Sequence, residues 1–204
     1  GDIHFDYRLA LLAMDNGIDK IRINPGNIGS KENVDKIILK AKEKNVAIRI
    51  GVNSGSLDEE TLKKHDNKVT AEGIVSLAEK YIKYFEEQGF YNLVISLKSS
   101  SVLQTIEAYR LASKKLNYPL HLGITEAGNK DVGLIRSSAG LSPLLLEGIG
   151  DTIRISLSCD PLEEIIAAKR LLHDLGLYEN YPTIISGPTF GRTQVDFIKL
   201  SNQV

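Results

Sequence analysis

Ile18-Asp19-Lys20-Ile21-Arg22-Ile23-Asn24, followed by Pro25-Gly26-Asn27-Ile28-Gly29, decides the fold once it is set beside Val46-Ala47-Ile48-Arg49-Ile50-Gly51-Val52-Asn53. Both runs are rich in β-branched residues, and both alternate. Ile21 and Ile23 stand against Arg22 and Asn24, while Ile48, Ile50 and Val52 stand against Arg49, Gly51 and Asn53. In a strand, successive side chains point to opposite faces, so each run has one apolar and one polar face. The pattern recurs over Tyr91–Lys98, Leu120–Thr125 and Thr152–Ser158, where Ser96 and Lys98, His121, Gly123 and Thr125, and Arg154, Ser156 and Ser158 form the polar set.

Between the runs lie stretches with helical periodicity: Asn33–Asn45, Ala71–Gly89, Val102–Leu116, Leu134–Glu147 and Leu162–Leu175. Gly89 and Gly176 occupy helix C-cap positions, Asp160-Pro161 reads as an N-cap with proline in the first turn, and Asp58 precedes a short helical turn. Asp2–Phe5 reads as the tail of a strand leading into helix Tyr7–Asn16, and Pro182–Ser186 as a further strand before a helix over Thr193–Asn202. Repeated βα units make either an open, doubly wound sheet or a closed barrel. A sheet covered on both faces needs strands apolar on both faces, so the polar faces here predict a barrel lumen. The fold class is therefore α/β, a parallel (β/α)8 barrel.

If the polar faces share one lumen, Arg22, Arg49, Lys98 and Arg154 converge at one mouth. Four cations at such range repel unless carboxylates or a ligand neutralise them, and a phosphorylated anion suits the fork of arginine and the point charge of lysine. The structural alternative pairs them with Asp2, Glu126 or Asp151 as a polar filling of the barrel. Asn24 and Asn53 either orient substrate hydroxyls or satisfy backbone groups at strand ends. His121, Thr125 and Glu126 place an imidazole, a hydroxyl and a carboxylate at one strand's exit, within reach of a substrate for proton transfer. His65 and His173 read as solvated surface residues. Lys98 at a strand end also admits a Schiff-base amine, as in aldolase-like barrels.

The chain has 204 residues, 42% of them hydrophobic, with a net charge of -1, so no global field draws it to nucleic acid or an anionic membrane. Its single cysteine, Cys159, forms no internal disulfide, and as a lone thiol without a positioned base it reads as inert. Gly1–Phe5 has neither a secretory leader pattern nor an initiating methionine, and the expected location is cytoplasmic in a bacterium, or the plastid in a photosynthetic eukaryote.

Several motifs are familiar: Asp2-Ile3-His4-Phe5, Arg22-Ile23-Asn24-Pro25-Gly26-Asn27-Ile28-Gly29, Arg49-Ile50-Gly51-Val52-Asn53 with Gly55-Ser56-Leu57, His121-Leu122-Gly123-Ile124-Thr125-Glu126-Ala127-Gly128, Gly148–Leu157 and Gly191-Arg192-Thr193. In order and content they resemble the 4-hydroxy-3-methylbut-2-en-1-yl diphosphate synthase family over essentially the whole chain. The resemblance implies an oxidoreductase of the methylerythritol phosphate route to isoprenoids. Such an enzyme reduces 2-C-methyl-D-erythritol 2,4-cyclodiphosphate through a 4Fe–4S cluster, with ferredoxin or flavodoxin as electron donor and a homodimer as the intact assembly.

It further implies Arg22, Arg49, Lys98, Arg154 and Ser156 as a diphosphate grip, Asn24 and Asn53 as further substrate contacts, and His121 and Glu126 beside the reacting carbon. It divides the chain into a barrel over 1–180 and the start of a truncated cluster domain over 181–204. Two departures follow. Gly187-Pro188-Thr189-Phe190 stands where the family has Cys-Pro-Thr-Cys, so Gly187 and Phe190 replace two cluster ligands and no metal ligand is expected here. The chain also begins near the end of a third barrel strand and stops before the rest of the cluster domain. The expectation is an incomplete barrel inactive alone, with a cluster-free, non-catalytic binder of phosphorylated metabolites as the alternative.

Overall fold

The computed structural model describes residues 1–183 together with 185, 187, 195, 196, 199 and 200. The strands are β1 (Lys20–Ile23), β2 (Ala47–Asn53), β3 (Leu93–Lys98), β4 (His121–Leu122) and β5 (Thr152–Ile153). The helices are α1 (Tyr7–Asp15), α2 (Lys31–Lys44), α3 (Glu59–Lys64), α4 (Ala71–Glu87), α5 (Val102–Lys115), α6 (Lys130–Leu146) and α7 (Pro161–Asp174). The strand over Pro182–Ser186 and the helix over Thr193–Asn202 lie in part, and the Gly191-Arg192-Thr193 motif wholly, outside the described residues.

Every pairing is parallel and follows chain order. β1 pairs β2 with Arg22 opposite Arg49, and β2 pairs β3 with Asn53 opposite Lys98. A single bridge, Ile95 to Leu120, joins β3 to the start of β4, and β4 pairs β5 with His121 opposite Thr152. Asp2 bridges Arg22 on the other flank of β1, with the Ile3 N–H donating to the Arg22 carbonyl at 2.9 Å. Doubly wound sheets reverse strand order at a switch point, whereas this order never reverses, which is the winding of a barrel. The sheet also curls: Arg154, just past β5, reaches Asp2 at the opposite end of the order, 3.9 Å between charged atoms. Among the described residues no backbone pairing joins those two ends, so the sheet is a curved, unclosed barrel wall.

The apolar strand faces form the layer beneath the helices. Ile21, Ile23, Ile48, Ile50, Val52, Ile95, Leu97 and Leu122 are all fully buried, as are Ile37, Ile74, Val75, Ala78 and Phe85 from α2 and α4. At about 1.5–3 kcal/mol for each large apolar side chain withdrawn from water, this layer is the main stabilising term.

Caps fix where the helices begin and end. Thr70 and Asp160 accept from Gly73 and Leu162, and Gly89 and Gly176 adopt φ of 66° and 72° to turn the chain out of α4 and α7. α6 starts earlier than the apolar run suggested, because Asn129 accepts from the Val132 N–H at 3.1 Å and so opens a polar first turn.

β4 is shorter than Leu120–Thr125 for a specific reason. Tyr109 of α5, completely buried, inserts its hydroxyl between the strands: the Leu97 N–H donates to it at 2.9 Å and it donates to the His121 carbonyl at 2.5 Å. A phenol thus replaces ladder hydrogen bonds between β3 and β4. β5, two residues long where Thr152–Ser158 was expected, has no described strand on its far side.

Candidate functional site

The polar strand faces line a cavity of about 220 Å³ whose walls are Asp2, His4, Arg22, Arg49, Asn53, Lys98, Thr125 and Arg154. Arg22, Arg49, Lys98 and Arg154 are thus brought together. Arg22 and Lys98 are each only 6% exposed, an unusual condition for cations.

Two glycines make that burial possible. A Cβ on Gly51 would lie 2.3 Å from Arg22 Nε, and one on Gly123 would lie 3.1 Å from Lys98 Nζ and 3.0 Å from the Arg154 carbonyl oxygen. The Arg22 side chain therefore lies across a strand position that a Cβ cannot share with it, and Lys98 lies across one where a Cβ would be tight enough to push it aside by a few tenths of an ångström.

Neutralising charge is scarce. Asp2 accepts from Arg22 Nη1 at 3.1 Å and stands 3.9 Å from Arg154. Asp151 instead accepts from the Leu120 N–H at 2.8 Å, and Glu126 is exposed at a φ of 53°. One of the three carboxylates that could have made the cluster self-neutralising does so. Arg49 leans on a neutral group, donating to Ser96 Oγ at 3.2 Å, and Arg154 donates to Ser156 Oγ at 3.1 Å.

The electrostatic strain shows in the proton affinities. Burial first, then Arg49, Arg154 and Arg22, push Lys98 down to about 7, with Asp2 opposing. Burial pushes Arg49 down to about 10. His121 is pushed down to about 3 by burial and then by Arg49, Lys98, Lys20 and Arg154, so its imidazole is neutral near pH 7.

Three residues of the polar strand faces carry buried, unpartnered polar atoms, and of them Asn53 lines the cavity itself. Asn24 is buried, with Oδ1 accepting from the Gly26 N–H at 3.1 Å and Nδ2 without a partner. Asn53 Oδ1 and His121 Nε2 are likewise buried without one. Buried polar atoms are ordinarily hydrogen-bonded, so these are positions where a ligand or water completes the site.

His121 is not at a strand exit as its place in the motif suggested. It opens β4, opposite Thr152 and one lumen position below Gly123, and its Nδ1 meets Thr152 Oγ1 at 2.8 Å. Thr125 and Glu126 lie beyond the other end of the strand. His121, Thr125 and Glu126 are therefore spread along the lumen rather than gathered.

His4 was missed: it lines the cavity, with Nε2 3.4 Å from Arg22 Nη1, and the Asp2-Ile3-His4 alternation was its available signal. His173 is tied down rather than solvated, meeting the Tyr178 carbonyl at 2.9 Å and Thr183 Oγ1 at 2.7 Å. A larger cavity, about 490 Å³, lies outside the barrel between α2 and α4, and its Lys80 is matched by Asp58 and Glu60 at 2.9 Å each.

Residues 1–169 match the GcpE TIM-barrel domain. The chain belongs to that family. Curated relatives include proteins named 4-hydroxy-3-methylbut-2-en-1-yl diphosphate synthase (flavodoxin) from Caldanaerobacter subterraneus subsp. tengcongensis and Fusobacterium nucleatum subsp. nucleatum, each 54% identical over 203 residues, all of this chain and 57% of the relative. The protein of that name from Clostridium perfringens is also 54% identical, over 58% of its length. The chain thus spans a little over half of these relatives, and GcpE-type barrel residues make up most of what is shared. None of the described helices is long and apolar enough to cross a membrane.

Proposed function

We propose that this chain is the substrate-binding barrel of a synthase that reductively opens and dehydroxylates 2-C-methyl-D-erythritol 2,4-cyclodiphosphate to 4-hydroxy-3-methylbut-2-enyl diphosphate. The observation that carries the reading is the buried excess of positive charge: Arg22, Arg49, Lys98 and Arg154 face one cavity with Asp2 as their near carboxylate. A diphosphate supplies the missing negative charge, and each guanidinium can hold two of its oxygens. Ser156, bonded to Arg154, adds a hydroxyl to this grip. Asn24 and Asn53, with free amide atoms, are assigned to the carbon skeleton's hydroxyls. Glu126 and His121 are assigned to proton handling at the reacting carbon, His121 as a neutral imidazole at the lumen floor.

The barrel is proposed to cover 1–180, with a second domain starting at 181. In the longer protein the electrons would come from flavodoxin, the donor in the relatives' names, or ferredoxin, through a 4Fe–4S cluster in a homodimer. The residues of this chain do not fit that cluster. The sequence has one cysteine, Cys159, exposed on the loop between β5 and α7, and no group of three His, Cys, Asp or Glu side chains among the described residues could hold a metal ion. Gly187 and Phe190 at the family's cysteine positions favour a second reading, a cluster-free binder of a phosphorylated metabolite.

Calorimetric titration of the chain with the cyclodiphosphate tests the shared core of both readings, and an R49A/R154A variant that binds equally well would remove it. Turnover after the cysteines and the remaining barrel are supplied separates the synthase from the binder.

A further inference from the structure

We propose that Lys98 is a covalent capture site for small phosphorylated aldehydes, forming an imine with the aldehyde carbon while the neighbouring arginines hold the phosphate. This inference rests on the anion-grip reading and adds to it a reactive amine.

The geometry is that of an amine held in a cation-lined chamber. Lys98 ends β3, lies 6% exposed, and crosses the lumen over Gly123, where a Cβ would meet its Cε and Nζ at 3.1 Å each. Its amine lines the cavity of about 220 Å³ that Arg22, Arg49 and Arg154 share. Other lysines are held differently: Lys40, Lys80 and Lys130 sit 2.6, 2.9 and 2.7 Å from Asp15, Asp58 and Glu163, which keep them charged. Lys98 faces guanidinium groups instead, and burial with those charges favours its neutral form near pH 7. A neutral amine is the nucleophile that carbonyl carbon requires.

The chemistry balances without an added reagent. The Lys98 nitrogen lone pair forms a bond to the aldehyde carbon, a proton passes from nitrogen to the former carbonyl oxygen, and loss of water leaves the carbon–nitrogen double bond. His4 and Thr125 line the same cavity and offer groups through which that proton can move. The reaction is reversible, and hydride from cyanoborohydride at the imine carbon, with a proton from water on nitrogen, makes it permanent.

The test uses the 204-residue chain as it stands. It is incubated with glycolaldehyde phosphate and sodium cyanoborohydride near pH 7, digested and mapped by mass spectrometry, while calorimetry measures inorganic pyrophosphate binding to the same preparation. The expected result is an adduct at Lys98 forming at least about tenfold faster than at any other lysine, since one unit of pKa is tenfold in the neutral fraction. Pyrophosphate should suppress it, phosphate-free glycolaldehyde should react about tenfold more slowly, and K98R should lack it.

Pyrophosphate binding without a Lys98 adduct overturns this inference and leaves the grip standing. Adducts spread over lysines by exposure overturn it as well. An adduct at Lys98 that pyrophosphate does not suppress overturns the arginine-held phosphate. Neither binding nor adduct overturns both readings together.

Discussion

Raising the pH from 6 to 9 should weaken anion binding by this chain while stabilising its free fold. Both effects trace to Lys98. Its ordinary value is 10.5, and in the free fold it is pushed down to about 7 by burial and by Arg49, Arg154 and Arg22. For a lysine whose folded pKa is lowered, the unfolded chain binds more protons between the two values, so stability rises with pH across that window. Below about 7 the fold bears the full cost of the charged ammonium, on the order of 5 kcal/mol for the gap between the two values.

A bound diphosphate reverses the balance by restoring Lys98 toward its ordinary value, so binding takes up a proton whenever the free site is neutral. From pH 6 to pH 9 this costs about two pKa units, roughly a 100-fold loss of affinity or about 2.7 kcal/mol. Pyrophosphate itself ionises in this range, and the ratio of wild-type to K98M affinity cancels that contribution. The assay is isothermal calorimetry on both proteins across the pH series, with denaturant melts alongside. A wild-type to K98M ratio that stays flat or rises with pH would refute the placement of Lys98 as a buried, arginine-faced amine.

Gly51→Ala puts a methyl 2.3 Å from Arg22 Nε, so Arg22 must leave its seat; about 1–3 kcal/mol of stability should be lost in a urea melt, with weaker pyrophosphate binding. Tyr109→Phe strands the Leu97 N–H and the His121 carbonyl, which should cost about 2–4 kcal/mol and speed amide exchange at Leu97, measurable by NMR. Asp2→Asn removes the carboxylate that meets Arg22 and approaches Arg154; thermal stability should fall while pyrophosphate affinity rises several-fold, and a fall in both would show that Asp2 serves binding rather than opposes it.

The alternation in Ile21-Arg22-Ile23-Asn24 and Ile48–Asn53 was enough to separate a lumen from a helix-facing wall, because that separation depends only on the period-2 geometry of strands. What it could not carry was pairing. That β1, β2 and β3 follow chain order, and that Asp2 bridges Arg22, emerges from backbone hydrogen bonds between distant segments. The short β4 was illegible for a similar reason: Tyr109 sits on a helix, and nothing in its local periodicity announces that its hydroxyl stands between two strands. Asn129 could have been found as a cap, but the glycine and charges that follow it hid the first turn of α6 from a search for apolar spacing.

Polarity in a strand tells which face a residue occupies and says nothing of its height, which is why the cation cluster was legible and its floor was not. Arg22, Arg49, Lys98 and Arg154 gather because long cationic side chains reach across a lumen from different heights. His121, short and rigid, stays at the level where β4 starts. The glycines were the sequence's unused clue to height. Gly51 is the Cα partner of Ser96, and the register beyond β4 places Gly123 beside Lys98 and Arg154. A glycine among lumen-facing positions weakens its strand and packs nothing, so its presence twice argues for something else filling the space. Here that filling is the side chain of a neighbouring strand's cation, and the glycines mark the two levels at which positive charge is laid down across the barrel.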